Sequence, residues 1–154
     1  MSNKTVVLAL GNPLMGDEGV AIEIIKAFSR QTEDHPEVDF IDAGCGGMTL
    51  LHYFEERDKA IIIDCAFMQT PPGTIKRFTP DDVTSVKKLS HHSLHEVDIL
   101  NVIKLAGQLD ACPEEIIFFG IEPKSVHQEQ SLSELLQSQM PEYIETVKEE
   151  LSSR

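Results

Sequence analysis

Residues 5–19 read TVVLALGNPLMGDEG, and this stretch decides the fold. The run from Thr5 to Leu10 is apolar and partly β-branched, and Gly11-Asn12-Pro13 ends it, which predicts a short strand buried on both faces. Beyond the loop, apolar residues recur with helical spacing, which predicts an amphipathic helix over Gly19 to Ser29. A buried strand that leads through a loop into a helix is typical of an α/β fold with a parallel sheet.

The same alternation continues along the chain. Val38 to Asp42 (VDFID) predicts a second strand, and Ala60 to Ala66 and Glu115 to Ile121 are further, largely apolar runs, with helical patterns between the strands. They predict parallel strands covered by helices on both faces. Thr74 to Thr79 alternates with period two and follows the third strand after a loop too short for a crossover helix, so we expect an antiparallel strand at the edge of the sheet.

Length and composition indicate one ordinary globular unit. The chain has 154 residues, of which 41% are apolar and 25% charged. This is enough for one core, and without a repeat, linker or low-complexity stretch we expect a single domain over 1–154. At its end we expect two helical segments, Ser131 to Gln139 and Pro141 to Leu151, because proline favours the first turn of a new helix.

The charge balance excludes several kinds of partner. Thirteen Lys and Arg stand against 26 Asp and Glu, for a net charge of -13. Nucleic-acid affinity comes largely from clustered cations, so neither a nucleic acid nor an anionic membrane surface is an expected partner. Self-repulsion favours a monomer.

Cysteine usage and the first residues point to the cytoplasm. Cys45, Cys65 and Cys112 are the three cysteines; they contain no CxxC pair and suggest neither a disulfide framework nor a thiolate zinc site. The first residues lack the pattern of a signal peptide, and no apolar run is long enough for a bilayer.

The first glycine loop does not fit a phosphate. Gly11 and Gly16 have the spacing of a Walker A loop, but Asp17 and Glu18 stand where that motif requires Lys and Ser or Thr. Two carboxylates at a helix start repel phosphate, so we expect no nucleotide and no tightly bound organic cofactor, and the position favours a cation. The alternative is that the two acids only complement the helix dipole.

Two further features strengthen the case for a cation. Asp64 follows three isoleucines at the carboxyl end of the third strand, the edge at which open α/β sheets bind ligands. A carboxylate there is costly unless it is hydrogen-bonded or bound to a metal. His91, His92 and His95 form a cluster, which either lies on a solvated loop or supplies an imidazole. Two carboxylates and an imidazole suit zinc, nickel, iron or manganese.

Several short motifs, in order, resemble the nickel-iron hydrogenase maturation endopeptidases. They run along nearly the whole chain: Leu10-Gly11-Asn12-Pro13-Leu14-Met15-Gly16-Asp17-Glu18-Gly19, Asp42-Ala43-Gly44, Ile62-Ile63-Asp64, Ser90-His91-His92 with Asp98-Ile99-Leu100, Phe119-Gly120-Ile121-Glu122-Pro123, and Leu132-Ser133 with Pro141. The resemblance implies a twisted five-stranded sheet flanked by helices. It also implies a cytoplasmic enzyme that trims the C-terminal extension of a hydrogenase large-subunit precursor after nickel insertion.

The same resemblance implies the site residues. Glu18, Asp64 and His92 stand at the positions that contact metal in that family, and the register to Asp98-Ile99-Leu100 selects His92 over its neighbours. The hypothesis is that the nickel arrives with the precursor, held by the precursor's cysteine thiolates, and that the chain adds two oxygens and one nitrogen. These three ligands should bind free metal only weakly, so on this hypothesis a precursor without nickel is not selected.

The sequence is compatible with several mechanisms of cleavage. Nickel could polarise the scissile carbonyl or activate a water, and Glu18, Asp64 or, as a further candidate, Asp42 could act as general base. A rival hypothesis is a cysteine hydrolase in which Cys45 pairs with His92. Another is a chaperone that recognises the nickel-loaded precursor without cutting it.

Overall fold

Five strands form the central sheet of the structure, a computed structural model that describes residues 3–30, 35–44, 49–80 and 102–152. They are β1 (Thr5–Ala9), β2 (Val38–Asp42), β3 (Lys59–Cys65), β4 (Ile75–Phe78) and β5 (Glu115–Ile121). Their order across the sheet is β2-β1-β3-β5-β4. The first four in that order are parallel, and β4 pairs antiparallel with β5 at the edge. The α/β class and the antiparallel edge strand are therefore confirmed.

Helices cover both faces of the sheet. Helix α1 (Val20–Ser29) and the terminal helix α3 (Glu134–Ser152) pack on the side of β1 and β3 that carries Val7 and Ile63. The short helix α2 (Leu50–Phe54) and the helical residues 102–108 pack on the other side. Successive side chains of a strand point to opposite faces, so the nearly continuous apolar runs of β1 and β3 supply both cores. The prediction of helices on both faces is confirmed.

The terminal helix differs from its prediction. Two segments divided before Pro141 were expected, but α3 is one helix of 19 residues with Pro141 inside it. An interior proline costs about 3 kcal/mol, because it removes a backbone hydrogen bond and its ring crowds the preceding turn. Leu136, Tyr143 and Val147 form one fully buried stripe across the proline. Their burial on both sides of Pro141 stabilises the continuous helix.

No helix in the described parts of the chain combines the length and the apolar character that a bilayer span requires.

A buried ion-pair network fastens the end of α3 to the sheet. Glu150 is only 7% exposed and contacts Lys59 Nζ on β3 at 2.8 Å, while Arg77 on β4 donates to its other carboxylate oxygen. Burial alone would raise the pKa of Glu150, but the hydrogen bonds from Arg77 and Lys59 outweigh it and hold the pKa below its ordinary value of 4.5.

We expect Glu150→Gln to lower the free energy of unfolding at neutral pH by about 1–3 kcal/mol, because two cations lose a buried partner. A carboxyl whose folded pKa is depressed stabilises the protein above its unfolded pKa and loses that contribution as the pH falls through the folded value. The difference between wild type and variant should therefore shrink towards acid pH. Urea unfolding at neutral pH and at about pH 3.5 measures it. Glu149→Gln, at an exposed position of the same helix, is the control, and a difference independent of pH would contradict the assignment.

Candidate functional site

The strand order creates a topological switch point at the carboxyl edge of the sheet, and we call the edge between β1 and β3 the crevice. β2 and β3 lie on opposite sides of β1, so the chain connections diverge at the boundary between β1 and β3. Open α/β sheets bind ligands at such a switch point, because the diverging loops leave a cleft there. The Leu10 amide donates to the carbonyl of Ile63 at 2.9 Å, which keeps the two strand ends together.

Glu18 enters this edge from the loop after β1. It lies in a turn of 3-10 helix, Gly16–Gly19, that packs against β3. The loop folds back closely enough that a Cβ on Gly11 would lie 2.0 Å from the carbonyl oxygen of Glu18, and Gly11 has a φ of +146°. Only glycine fits there. The partly exposed Glu18 is thereby placed over the ends of β1 and β3.

Asp64 borders the crevice from the β3 side. It is the penultimate residue of that strand and only 6% exposed. Its partner in the register with β5 is Gly120, which has no side chain. Ile62, two residues earlier, points to the same face and is fully buried in the core. Both oxygens of the Asp64 carboxylate are closed off from solvent, so this charge lies at the boundary between the apolar core and the loops of this edge.

The carboxylates at this edge affect the pKa of the Cys65 thiol. Burial raises the pKa of Cys65, and the negative charges of Asp64, Glu18 and Asp17 raise it further. The carboxylates from the first loop and from β3 thus act on the same atom. Burial and these charges together keep Cys65 protonated, so this cysteine is no thiolate nucleophile at neutral pH.

Of the other residues predicted for the site, the structure describes Asp42, whereas His92 and Cys45 lie outside the described residues. Asp42 is exposed at the end of β2, where its Oδ1 accepts the Gly44 amide at 2.9 Å. β1 separates Asp42 from Asp64 by two strand spacings, roughly 10 Å. The structure brings Glu18 and Asp64 to one crevice and leaves Asp42 on the far side of β1.

Glu18 and Asp64 alone do not complete a metal site. Across the ranges 3–30, 35–44, 49–80 and 102–152, no three His, Cys, Asp or Glu side chains converge as metal ligands. Two carboxylates leave most coordination positions of a divalent ion open.

Asp17 has a role that the sequence did not reveal. Its side chain is fully buried and accepts hydrogen bonds from four donors, namely the Lys124 amide (2.9 Å), the Ser125 amide (3.0 Å), the Ser133 amide (2.7 Å) and the Ser133 hydroxyl (2.9 Å). Neither the dipole interpretation nor the cation interpretation anticipated this. Asp17 instead binds residues 123–133, which we call the strap, to the first loop.

Backbone contacts reinforce the strap. The Gly16 amide donates to the Glu129 carbonyl at 2.8 Å, and the Asp17 amide donates to the Ser125 carbonyl at 3.1 Å. Gly16 has a φ of +59°, and a Cβ on it would lie 3.0 Å from the Ser125 carbonyl oxygen. Contacts from the strap therefore hold the turn that carries Glu18.

Glu122 is a second carboxylate that the sequence reasoning gave no role. It is 6% exposed and follows β5 directly. Its Oε1 accepts the Met68 amide at 2.7 Å, the Thr70 amide at 3.2 Å and the Thr70 hydroxyl at 3.0 Å. Glu122 thus holds the loop that follows β3, on the Asp64 side of the crevice.

Comparison with known proteins gives consistent matches. The family model described as hydrogenase maturation protease (HycI) matches residues 22–150. A hydrogenase expression/formation protein, HupD of Bradyrhizobium diazoefficiens, is 31% identical over 121 residues, which is 79% of this chain and 63% of that protein. The hydrogenase 2 maturation protease of Escherichia coli is 26% identical over 147 residues, covering 94% of this chain and 88% of that protein.

The fold matches as well. The solved structure of the hydrogenase maturating endopeptidase HybD from E. coli superposes with a TM-score of 0.81 at 24% identity, covering 94% of this chain and 89% of that one. This likeness shows the shared fold. The chain spans 53–63% of the length of the first HupD relatives that it matches.

Proposed function

The chain belongs to the hydrogenase maturation protease family, and from this premise we propose that it is an endopeptidase that removes the C-terminal extension of a nickel-iron hydrogenase large-subunit precursor after nickel insertion. One observation supports this most strongly. Glu18 and the largely buried Asp64 border the same switch-point crevice, although 46 positions separate them in the sequence (64 − 18).

The nickel is part of the substrate in this proposal. The precursor holds it with cysteine thiolates, and Glu18, Asp64 and His92 occupy its open positions. Two carboxylates and one imidazole form a weak site for free metal, whereas added to existing thiolates they complete a coordination shell. Binding energy is then available only for a precursor that carries nickel, which provides discrimination against the empty one.

The groups at the crevice limit the chemistry of cleavage. Cys65 is unsuited to nucleophilic attack, because its thiol is buried and its pKa is raised. A water is the better nucleophile, with Asp64 or Glu18 as the base that takes its proton. Asp42 is the weaker candidate for the base, because it lies beyond β1. The proton would then pass to the leaving amine of the released extension.

Mass spectrometry of the large subunit tests the function. The purified chain is incubated with nickel-loaded precursor and, separately, with nickel-free precursor. We expect a shortened large subunit only in the nickel-loaded sample. Stable binding without shortening would instead support the chaperone, and equal cleavage of both precursors would refute recognition through nickel.

The cysteine-hydrolase alternative has its own discriminating variant. If Cys45 were the nucleophile, Cys45→Ala and iodoacetamide treatment would each abolish cleavage. We expect Cys45→Ala to cleave the nickel-loaded precursor at the wild-type rate.

A further inference from the structure

Two large apolar side chains project into solvent on the loops that border the crevice. Leu14, in the loop after β1, is 54% exposed, and Phe67, in the loop after β3, is 53% exposed. Leu109 is 59% exposed as well, but it precedes β5 and so lies towards the amino edge of the sheet. Leu14 and Phe67 thus flank the site, whereas Leu109 does not.

Hydrogen bonds hold the backbone at Leu14. Its amide donates to the Asn12 side chain at 3.0 Å, and its carbonyl accepts the Glu129 amide of the strap at 3.0 Å. These two bonds fix the backbone position of Leu14 in the loop.

The backbone around Phe67 is held in the same way. The preceding amide, of Ala66, donates to the Ile121 carbonyl at 3.0 Å, and the following amide, of Met68, donates to Glu122 at 2.7 Å. Glu122 is itself buried. Phe67 is therefore presented to solvent by an ordered loop.

This presentation is typical of an interface anchor. Single exposed apolar residues are common on protein surfaces. Two of them, held on both sides of one cleft, form contacts that lose little conformational entropy when a partner covers them. A second copy of this chain is a poor partner, because each copy carries a net charge of -13. The surface fits a different chain with apolar side chains and fewer negative charges.

We propose that Leu14 and Phe67 dock apolar side chains of the precursor on the two sides of the bond that is cut. This inference rests on the proposed function and adds to it the chemistry of the substrate segment. The carboxylates recognise the nickel, and the two apolar contacts fix the peptide across the crevice. Substrate selection then depends on apolar side chains beside the cleavage point as well as on the metal.

Steady-state cleavage of nickel-loaded precursor by the double variant Leu14→Ser/Phe67→Ser tests the proposal. We expect KM to rise at least about tenfold, the scale of a lost interface anchor. We expect kcat to stay within about twofold, since neither residue touches the reacting atoms. Leu109→Ser, an equally exposed leucine at the opposite edge, should leave both constants unchanged. All three proteins should unfold at similar temperatures, because the substituted side chains are half exposed.

The outcomes separate the docking proposal from the proposed function. If the wild-type chain does not shorten nickel-loaded precursor, the function itself fails. If the wild type cleaves and the double variant has an unchanged KM, or loses kcat alone, the docking surface is refuted. A wild-type dimer in sedimentation analysis that the double variant abolishes would show that a second copy covers these residues, which would also overturn the proposal.

Discussion

Replacing Asp64 with asparagine is expected to lower the rate of precursor cleavage by at least about a hundredfold, the scale associated with losing one charged catalytic group. The amide has nearly the shape of the carboxylate, but it lacks the negative charge that would contact the nickel or accept a proton. Glu18→Gln should have a similar effect, because Glu18 borders the same crevice. Initial rates measured by mass spectrometry of the shortened subunit provide the comparison.

The matched control for this prediction lies six positions earlier (64 − 58). Asp58 is exposed just before β3, at the amino edge of the sheet. Asp58→Asn makes the same chemical change far from the crevice and should leave the rate within about twofold of wild type. Thermal unfolding of each variant separates a catalytic loss from a folding defect. A folded Asp64→Asn protein with wild-type rates would remove Asp64 from the site.

Asp17→Ala is expected to cost about 3–5 kcal/mol of stability, because four hydrogen bonds to a buried carboxylate are lost and each buried donor left unsatisfied costs about 1–3 kcal/mol. Lys124, Ser125 and Ser133 would lose the acceptor for four hydrogen bonds in a place where the carboxylate is fully buried. A domain of this kind is stable by roughly 5–15 kcal/mol, so the loss would be a large fraction of the total. Urea unfolding measures it directly.

Glu23→Ala is the control for Asp17. Glu23 lies near the start of α1 and pairs with Lys26 at 3.4 Å, with both side chains substantially exposed. An exposed pair contributes little, so the variant should change stability by less than about 0.5 kcal/mol. If Asp17→Ala cost no more than Glu23→Ala, the strap would not depend on Asp17.

The strands of the sheet could be predicted from the sequence, because each is short and the residues next to it mark where it ends. The predicted limits of β2 and β5 match the structure. β5 is a mostly apolar run that ends before the acidic Glu122, and β2 (VDFID) ends before Ala43-Gly44. The antiparallel direction of β4 followed from the length of the loop before it, because a connection without a crossover helix reverses the chain. Its place beyond β5 did not follow from that loop.

Features that depend on contacts between residues far apart in the sequence could not be predicted from the sequence. The proline signal at Pro141 predicted a break, and only packing along the whole of α3 overrides it. Asp17 and Glu18 are neighbours with similar side chains, yet one is buried and the other partly exposed. The difference depends on partners such as Lys124, 107 positions away. The role of Glu122 likewise depends on its hydrogen bonds with Met68 and Thr70, some fifty positions earlier in the chain.

Isothermal titration of the precursor into the purified chain tests the central claim most directly, namely that the crevice recognises nickel held by the precursor. The account predicts that nickel-loaded precursor binds at least about tenfold more tightly than nickel-free precursor, and that Asp64→Asn removes this difference. Equal affinity of the wild-type chain for the two forms would contradict it.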